Sequence, residues 1–344
     1  MRHVDTFTRL LIQVAFFTAA SSESFCQNNT QIRGFVDAGT VFRDGRFAFN
    51  LGEQDLFITS DLSDRFSFLG ESVFKYNIDS ETRFSVSIER VVLKYNYKGN
   101  HNALLGKHHT PINYWNDTYH HGRVFFPTIS RPMIFSSVLF PLHTTGISLQ
   151  GLNLGKLKFG YDFMIGNGIG STDLWDNNNN KSVTLAMHIK PRTGMRLGMS
   201  YYHDVLSKGV DPHHGQVIHH NLTEQLVTAS VANFGDKLEL LVESTMMLTK
   251  GDSIPMQSAL FTYAYAGYKI TDKIIPYIRI DNLMYPDDHE TEGSILETKQ
   301  NTYYLAGLRY QINYLAVVKI EYQRQYTGSN LLGNAITTQF AIGF

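Results

Sequence analysis

Histidine pairs are the first feature of this sequence whose residue type and spacing suggest chemistry. Among 14 histidines there are four adjacent pairs, His108-His109, His120-His121, His213-His214 and His219-His220. Adjacent residues of a strand point to opposite faces, so a pair on a strand cannot easily chelate one ion, whereas a pair in a loop could. A zinc site needs a third and a fourth ligand, and none stands near the loop pairs in a chain with a single Cys. We therefore predict no metal site and no cofactor, and at most a pH-sensitive polar surface.

Motifs for catalysis are also missing from the sequence. It has no Gly-x-Ser-x-Gly elbow, no His-Glu-x-x-His helix and no P-loop. A lipid hydrolase with Ser and His scattered over several strands would escape such a search and stays open as an alternative. Lys and Arg total 30 against 31 Asp and Glu, and this balance argues against a nucleic-acid partner because phosphate affinity needs a clustered basic excess. The sequence thus predicts a protein that is not an enzyme and binds no nucleic acid.

The N-terminal residues have the pattern of a secretory signal peptide. Arg2 and Arg9 precede the apolar run 10–17, and small residues follow at 18–22, the order expected of such a peptide. The run is too short to span a bilayer, which needs about 20 apolar residues. A buried N-terminal helix is the alternative. We predict a signal peptide over 1–26 and a single domain over 27–344. Cleavage after residue 26 and cleavage at the earlier small residues are both compatible with the sequence.

Most of the remaining chain alternates with a period of two. In the last segment Ile336, Thr338, Phe340 and Ile342 alternate with small or polar residues. Successive strand side chains point to opposite faces, so each such segment has one apolar face and one polar face. Many segments exceed the mean soluble strand of about 5–6 residues. The sequence predicts sixteen strands, at about 31–44, 46–61, 66–78, 83–98, 101–110, 144–152, 155–168, 181–190, 194–207, 217–234, 237–249, 256–270, 273–285, 299–312, 315–327 and 334–344.

The connections between these segments fall into two classes that alternate along the chain. Short ones, such as 62–65 and 191–193, alternate with a set that is mostly longer and more polar, including 169–180 and 286–298. Bacterial transmembrane barrels have this asymmetry, with short periplasmic turns and long external loops. An even strand number places both termini on the periplasmic side. We therefore predict an all-β fold, a sixteen-stranded antiparallel transmembrane barrel in the outer membrane, with a secreted soluble all-β protein as the alternative.

Sixteen strands enclose a water-filled lumen, and the polar strand faces indicate what would line it. Both signs of charge occur on these faces, so the sequence predicts no ring of one sign that would make the pore strongly ion-selective. A salt bridge that only braces the wall is an equally good interpretation of any one of these charges. The predicted lining residues are Arg90, Lys94, Lys156, Lys158, Arg196, Glu239, Glu243, Arg279, Arg309, Lys319 and Glu321.

The longest connection, 111–143 between the fifth and sixth strands, is the most informative segment. Loops of this length are usually functional or disordered, and folding into the barrel would bury its many aromatic residues. Irregular backbone is tolerated at membrane depth only inside protein or beside water. We predict that this loop folds inward and sets the narrowest cross-section of the pore, with a plug or an oligomer contact as alternatives. The predicted constriction residues are Tyr114, Trp115, Tyr119, His120, His121, Arg123 and Arg131.

The fourth segment changes phase in its middle. Apolar residues at positions 84, 86 and 88 share one phase, and those at 91, 93 and 95 share the other. One extra residue in a β-bulge shifts the phase of a strand in this way. We predict a bulge at Glu89-Arg90, with two shorter strands as the alternative.

Two stretches of the chain resemble known proteins. The terminal Gln339-Phe340-Ala341-Ile342-Gly343-Phe344 resembles the assembly signal of Gram-negative outer-membrane barrels. The block 88–95, followed by Leu-Gly-Lys-His-His-Thr-Pro at 105–111, is similar to the phosphate-selective and related substrate-specific porins. In that family an acidic-Arg strand leads to a Gly-Lys/Arg-x-x-x-Pro strand end before the constricting loop. This chain lacks the dense Arg/Lys ladder used for phosphate, so the resemblance implies the porin fold and not phosphate selectivity.

The resemblance implies an integral outer-membrane porin that admits small hydrophilic solutes or ions by passive diffusion. The implied partners are outer-membrane lipid, the permeating solutes and the barrel-assembly machinery, for which Phe344 would complete the signal. A homotrimer is compatible with this family. A structural or adhesin-type barrel with a plugged lumen is the alternative, besides the lipid hydrolase named above.

Overall fold

The computed structural model describes residues 29–76, 82–119, 122–137, 139–171, 175–211, 217–252, 255–284 and 301–344. The predicted signal peptide lies outside these residues. The described residues form sixteen strands: β1 (Thr30–Arg43), β2 (Arg46–Asp61), β3 (Phe66–Tyr76), β4 (Phe84–Lys98), β5 (His101–His109), β6 (His143–Leu154), β7 (Phe159–Gly166), β8 (Ser182–Ile189), β9 (Met195–Leu206), β10 (Leu222–Phe234), β11 (Leu238–Gly251), β12 (Gln257–Tyr268), β13 (Ile274–Met284), β14 (Asn301–Asn313), β15 (Ala316–Thr327) and β16 (Asn330–Gly343).

These strands form one closed antiparallel barrel. Each strand pairs with its neighbours in sequence, and β1 pairs with β16 from Phe35 opposite Gly343 to Arg43 opposite Ala335. Closure removes every free sheet edge, which is the condition for a sheet to satisfy its backbone groups in lipid. The prediction of a sixteen-stranded all-β barrel is confirmed. The start of β1 and the C-terminus lie at one end, called here the termini end, and the opposite end is the loop end.

The two faces of the wall differ as the alternation predicts. On β13, for example, Ile278 and Ile280 are exposed on the outer surface, while Arg279 and Asp281 between them are buried in the interior. The same alternation on the other strands gives the barrel an apolar outer surface and a polar or mixed inner one. Such an outer surface suits a hydrocarbon environment.

The predicted bulge in the fourth strand is present. Arg90 on β4 is paired with Glu71 on β3, but the next pair joins Ile88 to Ser72, so Glu89 is the extra residue. The side chain of Arg90 forms an ion pair with Glu71 inside the barrel. Because β4 continues through the bulge, the alternative of two shorter strands is wrong.

Several predicted boundaries need correction. The seventh strand begins at Phe159 and not at 155, because residues 155–158 form a turn in which Gly155 and Lys158 have φ angles of +63° and +47°. Likewise, β10 begins at Leu222 and not at 217. A left-handed residue ends the regular pleat of a strand, so the alternation of Lys156 and Lys158 with apolar neighbours belongs to a turn.

The segment between β5 and β6, residues 110–142, is called here the inward loop. It contains a short helix, α1 (Tyr114–Tyr119), and a 3-10 helix (Met133–Ser136). Within the described residues no helix is long and apolar enough to cross a membrane. The two ends of the loop are joined, because the side-chain amide of Asn116 donates to the carbonyl of Thr110 at 2.9 Å and to that of Leu142 at 3.0 Å.

Candidate functional site

The inward loop packs most of its apolar side chains against one half of the barrel wall. Trp115 and Phe126 are fully buried, with ring centroids 5.5 Å apart, and Trp115 lies 6.0 Å from the ring of Tyr263 on β12. Nearer the loop end, Ile134 and Phe140 pack into a second cluster. The wall residues of the two clusters are Tyr202, Leu206, Leu222, Leu226, Ala232, Leu241, Met247, Ala259, Phe261, Tyr263, Tyr265, Tyr277, Leu283 and Leu305. The loop therefore lies inside the barrel, against β9–β14.

The start of α1 is tied to the wall by one carboxylate. Glu243 on β11 accepts hydrogen bonds from the main-chain N–H of Tyr114 and, at 3.2 Å, from that of Trp115. It also accepts the hydroxyl of Tyr263. Within the loop, the side-chain oxygen of Asn113 accepts the N–H of Asn116 at 2.7 Å, which caps the helix. The free N–H groups at the helix start thus have acceptors.

Arg279 on β13 holds the middle of the loop. Its guanidinium donates to the hydroxyl of Thr128 at 2.7 Å, to the carbonyl of Ser130 at 2.6 Å and to that of Arg131 at 3.1 Å. The Asp281 carboxylate, 2.8 Å from the Arg279 Nε, balances its charge. Arginine suits this position because its planar fork presents several donors at once.

Three further wall charges hold the same stretch of loop. On β15 the Lys319 ammonium donates to the carbonyl of Arg123 at 2.7 Å, and the Glu321 carboxylate accepts the N–H of Ile129. On β14 Arg309 donates to the carbonyl of Pro127 at 3.3 Å. Its charge is balanced by Glu239 on β11, at 2.8 Å.

Six of the predicted lining residues are therefore corrected in one respect. They face the interior, but the loop covers them, and none is more than 9% exposed. Five of these charges hold main-chain groups of the loop, and the sixth, Glu239, balances the charge of Arg309. The six are Glu239, Glu243, Arg279, Arg309, Lys319 and Glu321.

The other predicted lining residues have different positions. Lys94 lies on β4 in the phase opposite to Leu93 and is exposed. Arg90 is half-buried at the bulge. Arg196 on β9 pairs with Asp117 of α1 at 2.7 Å and lies over the ring of Tyr114. The remaining two, Lys156 and Lys158, lie exposed in the turn between β6 and β7 and do not line the lumen.

The predicted constriction residues form two groups in the structure, apart from the two histidines. Tyr114, Trp115 and Tyr119 form one aromatic group, with Trp115 and Tyr119 at 5.2 Å. The guanidinium groups of Arg123 and Arg131 both lie over the ring of Phe126, at 6.0 Å and 5.8 Å from its centroid. His120 and His121 lie outside the described residues.

Sequence reasoning missed the acidic partners of these two arginines. Glu53 on β2 lies 2.9 Å from Arg123 and 3.8 Å from Arg131, and Asp37 on β1 lies 3.5 Å from Arg123. Lys75 on β3 also reaches Glu53, at 3.0 Å. On β3, Lys75 stands in the phase opposite to the exposed Phe66 and Tyr76, so the alternation contained its signal. Glu53 instead shares the parity of the exposed Phe47, Phe49 and Leu51, and only the register shift between β1 and β2 next to Asp37 turns it inward.

The two loop arginines have opposite pKa shifts. Burial lowers the pKa of Arg131, and the attraction of Glu53 offsets this only in part. Burial also acts to lower the pKa of Arg123, but Glu53 and Asp37 outweigh it and the pKa is raised. Both guanidinium groups stay charged at neutral pH.

Metal chemistry has little support in the described part of the chain. No group of three or more His, Cys, Asp or Glu side chains is arranged there to hold a metal ion. The pair His108-His109 is split between faces, since His108 bonds Ser148 at 2.6 Å while the ring of His109 lies 5.2 Å from that of His143, tilted by 54°. The pair His213-His214 lies outside the described residues.

Comparison with known proteins identifies the fold. No family model matches the chain, and no curated protein matches it. Among solved structures, an anion-selective porin from Comamonas acidovorans has a TM-score of 0.66 at 10% identity, over 92% of this chain and 100% of that one. OmpT of Vibrio cholerae, an outer membrane protein in its trimer form, has a TM-score of 0.66 at 12% identity, over 92% and 99%. Salmonella typhi OmpF, in a complex with daunomycin, has 0.64 at 12%, over 92% and 98%.

The chain thus has the fold of an outer-membrane porin-like barrel, as the sequence predicts. Identities this low show the fold alone. The similarity of two short stretches to the phosphate-selective and substrate-specific porins stays a prediction.

Proposed function

We propose that this protein is an outer-membrane porin through which small hydrophilic solutes or ions diffuse passively. The observation that carries the proposal is the unequal packing of the inward loop. Most of its apolar side chains are buried against β9–β14, whereas Asp117 and Thr118 of α1 are partly exposed inside the barrel, where both contact Arg196. A loop that only filled the lumen would have no reason to keep a polar helix face uncovered.

A polar strip of wall lies opposite that helix face. Arg196 on β9 and Asp162 on β7 border a small cavity together with Asp117. Towards the termini end, Lys94 on β4 is exposed. Towards the loop end, Lys75 on β3 and Arg123 border a larger cavity. Polar groups along one side of the lumen give hydrated solutes a path past the loop, because water is replaced there by charged and hydroxyl groups.

The fold also supports the partners in this proposal. A barrel with an apolar outer surface is integral to the outer membrane and contacts its lipid. Insertion would depend on the barrel-assembly machinery, with Phe344 as the end of its signal. A homotrimer is part of the proposal, supported by the trimer form of one structural neighbour.

Planar-bilayer recording of the purified full-length protein tests the proposal. If the proposal is correct, the recording should show stepwise conductance in potassium chloride. Proteoliposomes that contain the protein should swell in an uncharged sugar. Heat-denatured protein is the control for lipid leakage. Bilayers that contain folded barrels but show no steps would refute diffusion.

One observation favours the plugged barrel as a second candidate. The loop also touches the opposite wall, where Phe125 packs on Phe35 of β1 at 5.4 Å and Val124 packs with Val317 and Ala341. The same recording decides, since a plugged barrel would be silent until the loop is shortened. We propose transport and no catalysis, and lipid turnover by the purified protein would contradict this.

A further inference from the structure

We propose that the outer face of the barrel at the termini end binds the headgroup of an anionic glycerophospholipid, on Lys98 and His101 and beside a sector of basic turns. The site requires the barrel to lie in a membrane, but it does not require solutes to diffuse through the lumen. The turns 98–101, 155–158 and 190–194 are called here the basic turns, and they contain no Asp or Glu. Their cations are Lys98, Lys156, Lys158, Lys190 and Arg192.

The other turns at the termini end have a different charge pattern. In three of these four turns a basic residue directly follows an acid, at Asp64-Arg65, Asp236-Lys237 and Asp272-Lys273. The basic turns are neighbours, because β4 to β9 are consecutive strands of the wall. Just beyond the second basic turn, Asp162 faces the interior and borders a cavity with Arg196. Unbalanced positive charge is therefore concentrated over one sector of this end.

The cations of the basic turns have no acidic partner in the described part of the chain. Lys98, Lys156 and Lys158 are exposed, and no described residue forms an ion pair with them. Lys190 and Arg192 donate to side-chain amides, at 3.4 Å and 3.2 Å, which leave their charges uncompensated. Basic residues at the edge of a membrane-spanning segment attract anionic lipids over about one Debye length. An anionic membrane surface would supply the missing negative charge.

A β-bulge brings one of these cations onto the outer face. The pairing of β4 with β5 shifts its register between Asn96 and Lys98, so Tyr97 is an extra residue and Lys98 lies opposite His101. Directly opposed residues of antiparallel strands have their side chains on the same face. His101 stands in the outward phase of β5, which it shares with the exposed Leu105. The ammonium and the imidazole therefore stand together on the lipid side of the wall.

Two tyrosines orient the imidazole. The ring of Tyr161 on β7 lies over Gly151 of β6, where a Cβ would meet it at 2.2 Å, and its hydroxyl lies 2.9 Å from the Nδ1 of His101. The hydroxyl of Tyr97 lies 3.4 Å from that of Tyr161. When Tyr161 donates to Nδ1, the neutral imidazole carries its hydrogen on Nε2 and can donate it to a phosphate oxygen. Tyrosines with an apolar ring and a polar tip are typical of the headgroup level of a membrane.

The charge of the sector selects the kind of headgroup. A phosphate would accept charge-assisted hydrogen bonds from Lys98 and one from His101. The ammonium of phosphatidylethanolamine would meet further cations there, because the basic turns contain no acid. Phosphatidylglycerol has an uncharged glycerol in that position and a net negative charge, so it should bind more tightly. A lipid fits better than peptidoglycan, since Lys98 and His101 stand on the outer face of the wall.

Native mass spectrometry of the full-length protein, released from micelles that contain phosphatidylglycerol and phosphatidylethanolamine in equal amounts, tests the site. The protein should retain phosphatidylglycerol in preference. Lys98→Gln should raise the phosphatidylglycerol concentration at half-occupancy about fivefold, the effect of one basic residue at a membrane surface. Lys98→Arg keeps the charge and should bind as the unchanged protein does. Lys237→Gln, which removes an exposed lysine beside Asp236, should also leave binding unchanged.

The double variant Lys156→Gln with Lys158→Gln tests the selection between headgroups, and it should lower the ratio of retained phosphatidylglycerol to phosphatidylethanolamine. Equal retention of the two lipids by the unchanged protein, or an unchanged half-occupancy in Lys98→Gln, would overturn the site. Sedimentation with purified peptidoglycan that the double variant abolishes, with no change in lipid retention, would assign the basic turns to peptidoglycan and overturn it too. Lipid preference in a barrel that does not conduct would keep this site and refute diffusion alone.

Discussion

The Glu243 carboxylate on β11 accepts a hydrogen bond from the main-chain N–H of Trp115 at 3.2 Å. The N–H of Tyr114 and the hydroxyl of Tyr263 donate to the same carboxylate. One wall residue thus positions the first turn of α1 and, through it, the aromatic side chains that fill this half of the lumen. Hydrogen bonds to Glu243 therefore join the inward loop to the wall at this point.

Glu243→Ala should loosen the start of α1. Two buried main-chain N–H groups and one hydroxyl would lose their acceptor, and each unsatisfied group costs about 1–3 kcal/mol. Hydrogen exchange at the amides of Tyr114 and Trp115 should speed up by more than about tenfold. Glu243→Gln keeps one carbonyl acceptor and should show a smaller effect. Equal protection in all three proteins would mean that the wall does not hold the helix.

Arg279→Met should lower the free energy of unfolding more than the replacement of an uncharged residue near it on the wall does. It removes the guanidinium donors to Thr128, Ser130 and Arg131 and leaves Asp281 buried without its cation. Breaking a buried pair on one side costs about 3–5 kcal/mol. Urea unfolding in micelles measures the change.

The double variant Arg279→Met with Asp281→Asn is the control for this pair. It removes the uncompensated charge and should recover part of the loss. If the double variant recovers no stability, the loss in Arg279→Met comes from the missing loop contacts alone.

Deleting Phe344 should reduce insertion into the outer membrane. Its N–H and carbonyl pair with Gly34 on β1, both at 2.9 Å, and its ring covers Gly34 so closely that a Cβ there would meet it at 2.3 Å. The residue therefore closes the last contact between the two ends of the sheet. Phe340→Leu, a change on the outer face of the same strand, is the matched control. An unchanged yield of heat-modifiable barrel in the outer-membrane fraction would contradict the assembly role.

Much of the fold could be predicted because a period of two is a property of the strand itself. The phase of strands such as β13 and β16 and the bulge at Glu89 follow from side-chain order alone, whereas the register shift opposite Glu53 on β2 does not. The turn at 155–158 could not be predicted in this way, since Lys156 and Lys158 continue the alternation and only the left-handed backbone at Gly155 and Lys158 separates these residues from β7.

The site was less predictable because burial inside the lumen depends on where the loop lies. Lys94 and Lys319 are both lysines in the polar phase of a strand, yet one is exposed and the other is 1% exposed beneath the loop. The phase of a residue shows that it faces inward. It does not show what covers it, which depends on contacts between segments almost 200 residues apart, such as Lys319 and Arg123.

The orientation of the barrel predicts which connections a protease can reach. If both termini are periplasmic, proteolysis of intact cells should cut within 169–180 or 286–298, the second of which lies outside the described residues. The short turns at Asp64-Arg65 and Pro191-Arg192 should be protected. Antibody tags inserted at 179 and 192 give a matched pair for the same question. Cleavage only at the short turns would show that the barrel has the opposite orientation in the membrane.

Replacing residues 115–130 by a short flexible linker should raise the single-channel conductance several-fold. The change removes Trp115 and Phe126 from the lumen, together with the main-chain groups that Arg309 and Lys319 hold. Those wall charges would then face water, where their desolvation no longer costs free energy, so the barrel should still fold. Conductance and ion selectivity are the measurements, and replacement of residues 175–180 in another loop is the control for general loop shortening. Unchanged conductance would place the constriction elsewhere, and the inward loop would then be better explained as an oligomer contact or a cap on the barrel.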